Sequence, residues 1–228
     1  MCAAQRIALY GGTFDPVHTG HVEIARRVLQ LFEIENVVFI PAQVAPHKIG
    51  RAVTEPIHRY AMLALATQND PQLAISTFEL DAPDRRYTVD TIAHFQRALG
   101  DAIELFFIMG ADSWTEITTW REWERLLTMT NHIVVTRPGY EPVTTHVGAI
   151  SERIVDLRGT SPKAAPDRNA PKIFFTDVVM KDISATGIRR MASEGHYEEL
   201  TDLLPGPVLE YIKKYGIYRE LNEARLNS

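Results

Sequence analysis

Residues 7–10, Ile-Ala-Leu-Tyr, are a short apolar run that predicts a buried strand. The apolar positions then fall at Val22, Ala25, Leu29 and Phe32, which is helical spacing. Residues 37–40, Val-Val-Phe-Ile, predict a second buried strand. Strand, helix and strand in this order make a βαβ unit, with parallel pairing and a right-handed connection. The alternation continues with a helix over 55–67, where Pro56 fits the first turn and Ile57, Tyr60, Ala61, Ala64 and Leu65 form the apolar face. A strand over 73–78 follows the Asn69-Asp70-Pro71 turn, and a helix ends at Leu99. Residues 103–109 are almost wholly apolar, as in a central strand covered on both faces. Strands over 131–136 and 172–179 complete a set of about six. Residues 158–171 are rich in breakers and predict a long exposed loop. A last helix after Leu204-Pro205-Gly206-Pro207 carries Val208, Tyr211, Ile212 and Tyr215 on one face. The pattern predicts an α/β protein with a doubly wound, mostly parallel sheet. One domain over 1–228 is expected, helical at its C-terminal end from about residue 184.

Composition narrows the class. The 228 residues are 45% hydrophobic and 23% charged, the balance of a soluble globular protein. Cys2 is the only cysteine, so no internal disulfide forms, which fits a reducing cytosol. The sequence shows no charged-then-apolar leader and no apolar run of membrane-spanning length, so a cytoplasmic protein with no membrane partner is expected. Monomer and homo-oligomer are equally compatible with the pattern. The net charge of −5 weighs against a broad nucleic-acid surface. It leaves room for a phosphorylated small molecule, which needs only a local cluster of donors.

The chemistry gathers at loops that follow strands. Gly11-Gly12-Thr13-Phe14-Asp15-Pro16-Val17-His18-Thr19-Gly20-His21 joins the first strand to the first helix. A helix start offers N–H groups and the positive end of a dipole to an anion. Gly11 and Gly12 lack a Cβ that would hold a phosphate off the backbone. His18 and His21 reach one bound group if the helix starts near Thr19 or Gly20. Far along the chain, Asp182-Ile183-Ser184-Ala185-Thr186-Gly187-Ile188-Arg189-Arg190 predicts a second helix start, capped by Ser184 or Thr186, where Arg189 adds a cation. Between them lie Lys48, Tyr87, Thr88, Gly110, Asp112, Trp120 and Arg137. Each also has a plain role: surface lysine, N-cap (Thr88, Asp90 or Asp112), packing tryptophan or turn arginine.

The eleven-residue stretch resembles the signature of the HxGH nucleotidylyltransferases, and in its wording that of the bacterial nicotinate mononucleotide adenylyltransferases. The resemblance runs from Gly11 to Arg189 in six ordered motifs. Ala45-Pro46-His47-Lys48 is similar to the family's P-P-H-K segment, with Ala45 for the first proline. Tyr87-Thr88-Val89-Asp90-Thr91 is similar to S-Y-T-x-D-T, with Arg86 where serine is usual. Gly110-Ala111-Asp112 matches G-x-D, Arg137-Pro138-Gly139 the R-P-G turn, and Ile183 to Arg189 the I-S-S-T-x-I-R motif, with Ala185 for the second serine.

The resemblance implies transfer of AMP from ATP to nicotinate mononucleotide, giving the deamido dinucleotide and pyrophosphate. It implies catalytic roles for His18, His21, Lys48 and Arg189. It places ATP against Gly11, Gly12, Thr13, Phe14, Gly110, Asp112, Ser184 and Thr186. It places the mononucleotide against Asp15, Tyr87, Thr88, Trp120 and Arg137, with Trp120 stacked on the pyridine ring. The residues suit such a reaction, since phosphoryl-type transfer asks for positioning and charge stabilisation rather than a paired nucleophile and base. Mg²⁺ is expected on the phosphates and water, and no zinc set is visible in the sequence. Nicotinamide mononucleotide, phosphopantetheine or cytidylyl transfer are the neighbouring alternatives, and a non-catalytic nucleotide binder is another. A Rossmann dehydrogenase would require G-x-G-x-x-G after the first strand, which is missing.

Overall fold

Strand β1 (Gln5–Gly12) is an interior strand of the sheet, paired on both edges and covered on both faces, as its apolar residues require. It pairs in parallel with β2 (Asn36–Pro41) on one side and β4 (Ile103–Gly110) on the other, so that Tyr10 faces Phe39 and Ile108 in register. The computed structural model describes residues 5–43, 53–82, 87–136, 141–159, 170–177 and 183–219. Within them the sheet has seven strands in the order β3-β2-β1-β4-β5-β7-β6, with β3 at Leu73–Ile75, β5 at Asn131–Val135, β6 at Ile154–Asp156 and β7 at Ile173–Thr176. Every pairing is parallel. The chain winds outward from β1 to β3, returns, and winds the other way from β4. The crevice between the carboxyl ends of β1 and β4 is therefore the switch point where open α/β sheets bind ligands.

The seventh strand, β6, departs from the expected six. Its three residues are too few to show a period, and it pairs only with β7, at the sheet's edge. β3 ends at Ile75 rather than at 78; Phe78 leaves the sheet and stacks on His94, with centroids 3.9 Å apart. Most of the expected 158–171 loop falls outside the described residues.

The helices are α1 (Thr19–Leu31), α2 (Pro56–Thr67), α3 (Thr88–Leu99), α4 (Ala111–Thr115), α5 (Trp123–Met129), α6 (Ala185–Glu194) and α7 (Gly206–Tyr215). None of them is long and apolar enough to cross a membrane. Alternate strand residues feed two cores, one on each face. Ala8, Tyr10, Phe39, Phe106 and Ile108 pack with α1, α2, α6 and α7. Leu9, Ile40, Phe107, Met109 and Val134 pack with α3, α4 and α5. Burying each large side chain stabilises the fold by roughly 1.5–3 kcal/mol.

The faces of two helices differ from expectation. α2 buries Arg59, Met62 and Leu63, whereas Ile57 is 68% exposed. That helix is apolar around most of its circumference, so periodicity points to no single face, and the face chosen carries an arginine. In α7, Val208, Leu209 and Ile212 are buried while Tyr215 is 54% exposed.

His132 on β5 is fully buried in the second core. Its Nδ1 lies 2.9 Å from the Thr130 carbonyl. Burial pushes this imidazole down to about 4, so the native state keeps it neutral when an unfolded chain would already be protonated. The unfolded state binds the extra proton, so stability falls as pH drops from 6.5 towards 4 and levels off below that. The loss is on the order of 3 kcal/mol. Urea denaturation at pH 7, 5.5 and 4.5 should show this decline, and His132→Leu should flatten it. A variant that keeps the full wild-type slope would remove His132 as its source.

Candidate active site

The loop leaving β1 turns straight into α1. His18 is the extended N-cap (φ −134°, ψ 171°) and α1 begins at Thr19, so one turn brings the two histidines together as their spacing predicts. Their rings stack, centroids 3.6 Å apart and planes 27° apart. The His18 N–H donates to His21 Nδ1 at 3.2 Å. A neutral His21 then carries its proton on Nε2, where it is a donor. Glycine at position 20 leaves room for the His18 ring, since a Cβ there would stand 3.1 Å from His18 Nδ1 and the ring would have to give by a few tenths of an ångström.

At Gly11 and Gly12 packing gives a reason of its own for glycine. A Cβ on Gly11 would meet the Phe107 ring at 2.8 Å, and one on Gly12 the Phe14 ring at 2.8 Å. The space at these glycines is filled by the protein's own aromatics. Phe14 itself is 3% exposed, held left-handed (φ 50°) and packed edge-on against Tyr10 and His21, so only its backbone can line a nucleotide site. Gly110, by contrast, opens onto free space, with nothing within 4 Å of where a Cβ would stand.

The start of α1 is partly occupied. The Thr19 N–H donates to the Leu203 carbonyl at 2.9 Å, so this donor serves the chain rather than an anion. At α6, Ser184 is the N-cap and its hydroxyl accepts from the Gly187 N–H at 3.3 Å. One turn on, Arg189 Nη2 donates to the Thr186 hydroxyl at 3.1 Å, and its Nη1 donates to the Asp15 carbonyl at 2.7 Å. That bond joins the two motifs across 174 residues.

Asp15 is turned inward. It is 4% exposed; its Oδ1 accepts from the Tyr218 hydroxyl at 2.8 Å and its Oδ2 from the Thr54 N–H at 3.2 Å. Expected at the mononucleotide, its carboxylate ties the loop to Tyr218 and Thr54. Arg59, fully buried, does the same from α2. It donates to the carbonyls of Thr13, Gln43 and Thr54 at 2.8, 3.0 and 2.9 Å. Desolvation lowers its pKa, and the charge of Asp15 opposes that shift. The sequence pattern singles out neither Arg59 nor Tyr218. An arginine among apolar helix positions is the available signal for the first; nothing local marks the second.

Of the other expected residues, Tyr87, Thr88, Gly110, Asp112 and Trp120 belong to elements on the opposite face of the sheet. Tyr87 is the N-cap of α3 with no side-chain capping bond, which makes Thr88 the first helical residue rather than the cap expected of it or of Asp90. The Arg121 guanidinium lies 4.8 Å above the Tyr87 ring. Trp120 is half-buried against the second core, with Tyr87 packed on the same cluster. Trp114 is core, and its indole N–H donates to the Val143 carbonyl at 2.8 Å. Gly110 caps α4, and Asp112 sits in that helix's first turn, not at the cap. Lys48 and Arg137 fall outside the described residues. The stacked histidines and Arg189 thus lie over one face at the switch point, and Tyr87 and Trp120 over the other.

The chain belongs to the cytidylyltransferase-like family, whose model matches residues 9–191. Among its relatives is a protein of Thermoanaerobacter sp. strain X514 named "probable nicotinate-nucleotide adenylyltransferase", 38% identical over 96% of both chains. One of the same name from Desulfitobacterium hafniense strain Y51 is 38% identical over 94% of this chain and 96% of that one. The fold matches the Plasmodium falciparum nicotinic acid mononucleotide adenylyltransferase in complex with NaAD (TM-score 0.71, 18% identity, 94% of this chain and 97% of that one). It also matches the same enzyme in complex with APC, with a TM-score of 0.70.

Removing the Arg59 guanidinium would leave three carbonyls under the loop without their donor. Arg59→Met should cost about 3 kcal/mol or more in urea denaturation, since hydrogen bonds to a buried charge are among the stronger ones. A loss under about 1 kcal/mol would mean that the loop does not depend on this residue.

Proposed function

We propose that this chain transfers AMP from ATP to nicotinate mononucleotide, releasing pyrophosphate and forming nicotinate adenine dinucleotide for NAD biosynthesis. The observation that carries the reading is the Arg189–Asp15 bond, which sets the stacked histidines of one motif against the helix start of the other. Two donor sets converging on one crevice fit a polyphosphate better than a single phosphate.

In the reaction, an oxygen of the mononucleotide 5′-phosphate attacks the α-phosphorus of ATP. The bond from that phosphorus to the bridging oxygen breaks, and pyrophosphate leaves in line. Charge builds on the equatorial and leaving oxygens. The Nε2–H of His21 donates to those oxygens, and His18, stacked against it, lies on the same phosphates. Arg189 reaches the leaving group from α6, with the backbone at Ser184–Gly187 beside it. Lys48 is assigned to the same leaving group, and Arg137 to the mononucleotide side. The open backbone at Gly110 receives the adenosine, and Asp112 its ribose hydroxyls. Trp120, Tyr87 and Thr88 take the pyridine end, where a flat ring can lie against an indole.

The groups at the cradle are donors, and the carboxylate beneath it, Asp15, is engaged by Tyr218 and Thr54. Among the described residues no three metal-ligating side chains converge. This donor set fits a magnesium ion carried by substrate phosphates and water rather than by a protein cage. Such an ion would add neutralisation of the phosphate charge.

Pyrophosphate release should appear when ATP is mixed with nicotinate mononucleotide, and more slowly with the nicotinamide form. Faster turnover of the amide would reassign the acceptor. His18→Ala should lower kcat by roughly 10²-fold, as the loss of one transition-state donor does. Near-normal turnover in a folded variant would sink the role. Trp120→Ala should raise KM for the mononucleotide and leave that for ATP alone; equal effects on both would argue against stacking.

A further inference from the structure

The last described turn of the chain reaches back to the first loop. α7 ends at Gly216, whose φ of 62° lets the backbone reverse, and the Ile217 N–H bonds to the Ile212 carbonyl at 3.1 Å. Ile217 enters the first core and is 8% exposed. The Arg219 guanidinium sits 5.2 Å over the Tyr197 ring. Between these two anchors Tyr218 is held at φ 75°, a left-handed conformation that bulky residues seldom adopt. Its hydroxyl meets Asp15 Oδ1 at 2.8 Å, across 203 residues.

We propose that Tyr218 is a positioning residue for the transfer reaction: by fixing the Asp15 carboxylate, it holds the 13–18 loop in the shape that lets His18, His21 and Arg189 face one phosphate chain. Two features of Asp15 make it the lever. Its carboxylate is buried with a donor on each oxygen, and its backbone carbonyl carries the bond to Arg189. Without the phenol, one buried carboxylate oxygen loses its donor and the residue must shift or admit water. The same residue would then shift the Arg189 contact and the neighbouring His18. A misplacement of about an ångström at such a site is enough to cost a large factor in rate. Burial, and after it the charge of Asp15, push the phenol's pKa up, so it stays a donor at any working pH. Tyr211, on α7, offers a contrast: its hydroxyl meets His58 Nδ1 at 2.8 Å, away from the loop.

With adenylyl transfer as the reaction on which this role rests, Tyr218→Phe should lower kcat about tenfold while KM for ATP changes less than about twofold. Tyr211→Phe should leave both unchanged. In an Asp15→Ala background, adding Tyr218→Phe should change kcat by less than about twofold, because the phenol acts through that carboxylate. Fully multiplicative losses would overturn the route through Asp15, and unchanged kcat in Tyr218→Phe would overturn the role itself. A readout independent of turnover separates this from failure of the reaction assignment. Hydrogen exchange of the backbone amides over 13–22 should speed by about tenfold in Tyr218→Phe, while those of β4 keep wild-type protection. If wild-type protein releases no pyrophosphate, the reaction assignment falls, and the exchange result still decides the positioning. Equal exchange in both proteins would overturn it.

Discussion

The hydrogen bond from Arg189 to the Asp15 carbonyl joins two helix starts that are far apart in sequence, and the site exists only where they meet. The apolar core brings them close. Val22, Ala25 and Val28 of α1 and Ile188 and Ala192 of α6 belong to one cluster over the same face of the sheet, and the Gly20 position lies within van der Waals range of Ile183. Packing of this kind sets a helix to within an ångström or so but does not aim a guanidinium. The polar bonds beneath the loop supply the aim, and they can do so because they are buried where water does not compete. Asp15 and Arg59 are the two charges involved, and both spend their bonding capacity on the protein.

This arrangement explains why part of the fold is legible in the sequence and part is not. The central strands are, because residues 7–10, 37–40 and 103–109 are apolar on both sides in a sheet covered on both faces. β6 is not, because three residues at an edge carry no period. The face of α2 defeats periodicity for a physical reason. Arg59 is stabilised by three carbonyls that only the folded chain brings together, so its burial has no local signature. The caps of α3 and α4 fall one to three residues from their expected places, since Thr88, Asp90 and Asp112 are good cap residues sitting inside the first turn.

The site is legible as chemistry but not as support. The histidine spacing and the second helix start lead directly to the stacked pair and to Arg189. The glycines suggest room for a phosphate, yet Gly11 and Gly12 make room for Phe107 and Phe14. Asp15 stands in the middle of the most recognisable stretch of the chain, and its carboxylate is buried and bound to Tyr218 and Thr54. A motif records which residues are needed together, not which of them touch the ligand. The partners that reveal the difference, Thr54, Arg59 and Tyr218, lie 39, 46 and 203 residues from the residues they hold.

The two halves of the crevice are built to different standards, and this bears on how the two substrates are told apart. The half that carries the stacked histidines and Arg189 rests on buried groups bonded to one another, Asp15 and Arg59 among them. The aromatic half is looser. Trp120 is half-buried, and the Arg121 that covers Tyr87 has a side chain 56% exposed. A cation over an aromatic ring at such a site contributes only about 0.5–1 kcal/mol, so it can be displaced by an incoming ring. In the proposed reaction the firmly held part meets the triphosphate, whose charge distribution changes as the bond breaks. In the same proposal the adaptable part meets the pyridine ring, which has only to be recognised. On that proposal rigidity sits where charge develops, and the residues beneath the 13–18 loop that supply it, Arg59 and Tyr218, come from distant parts of the chain.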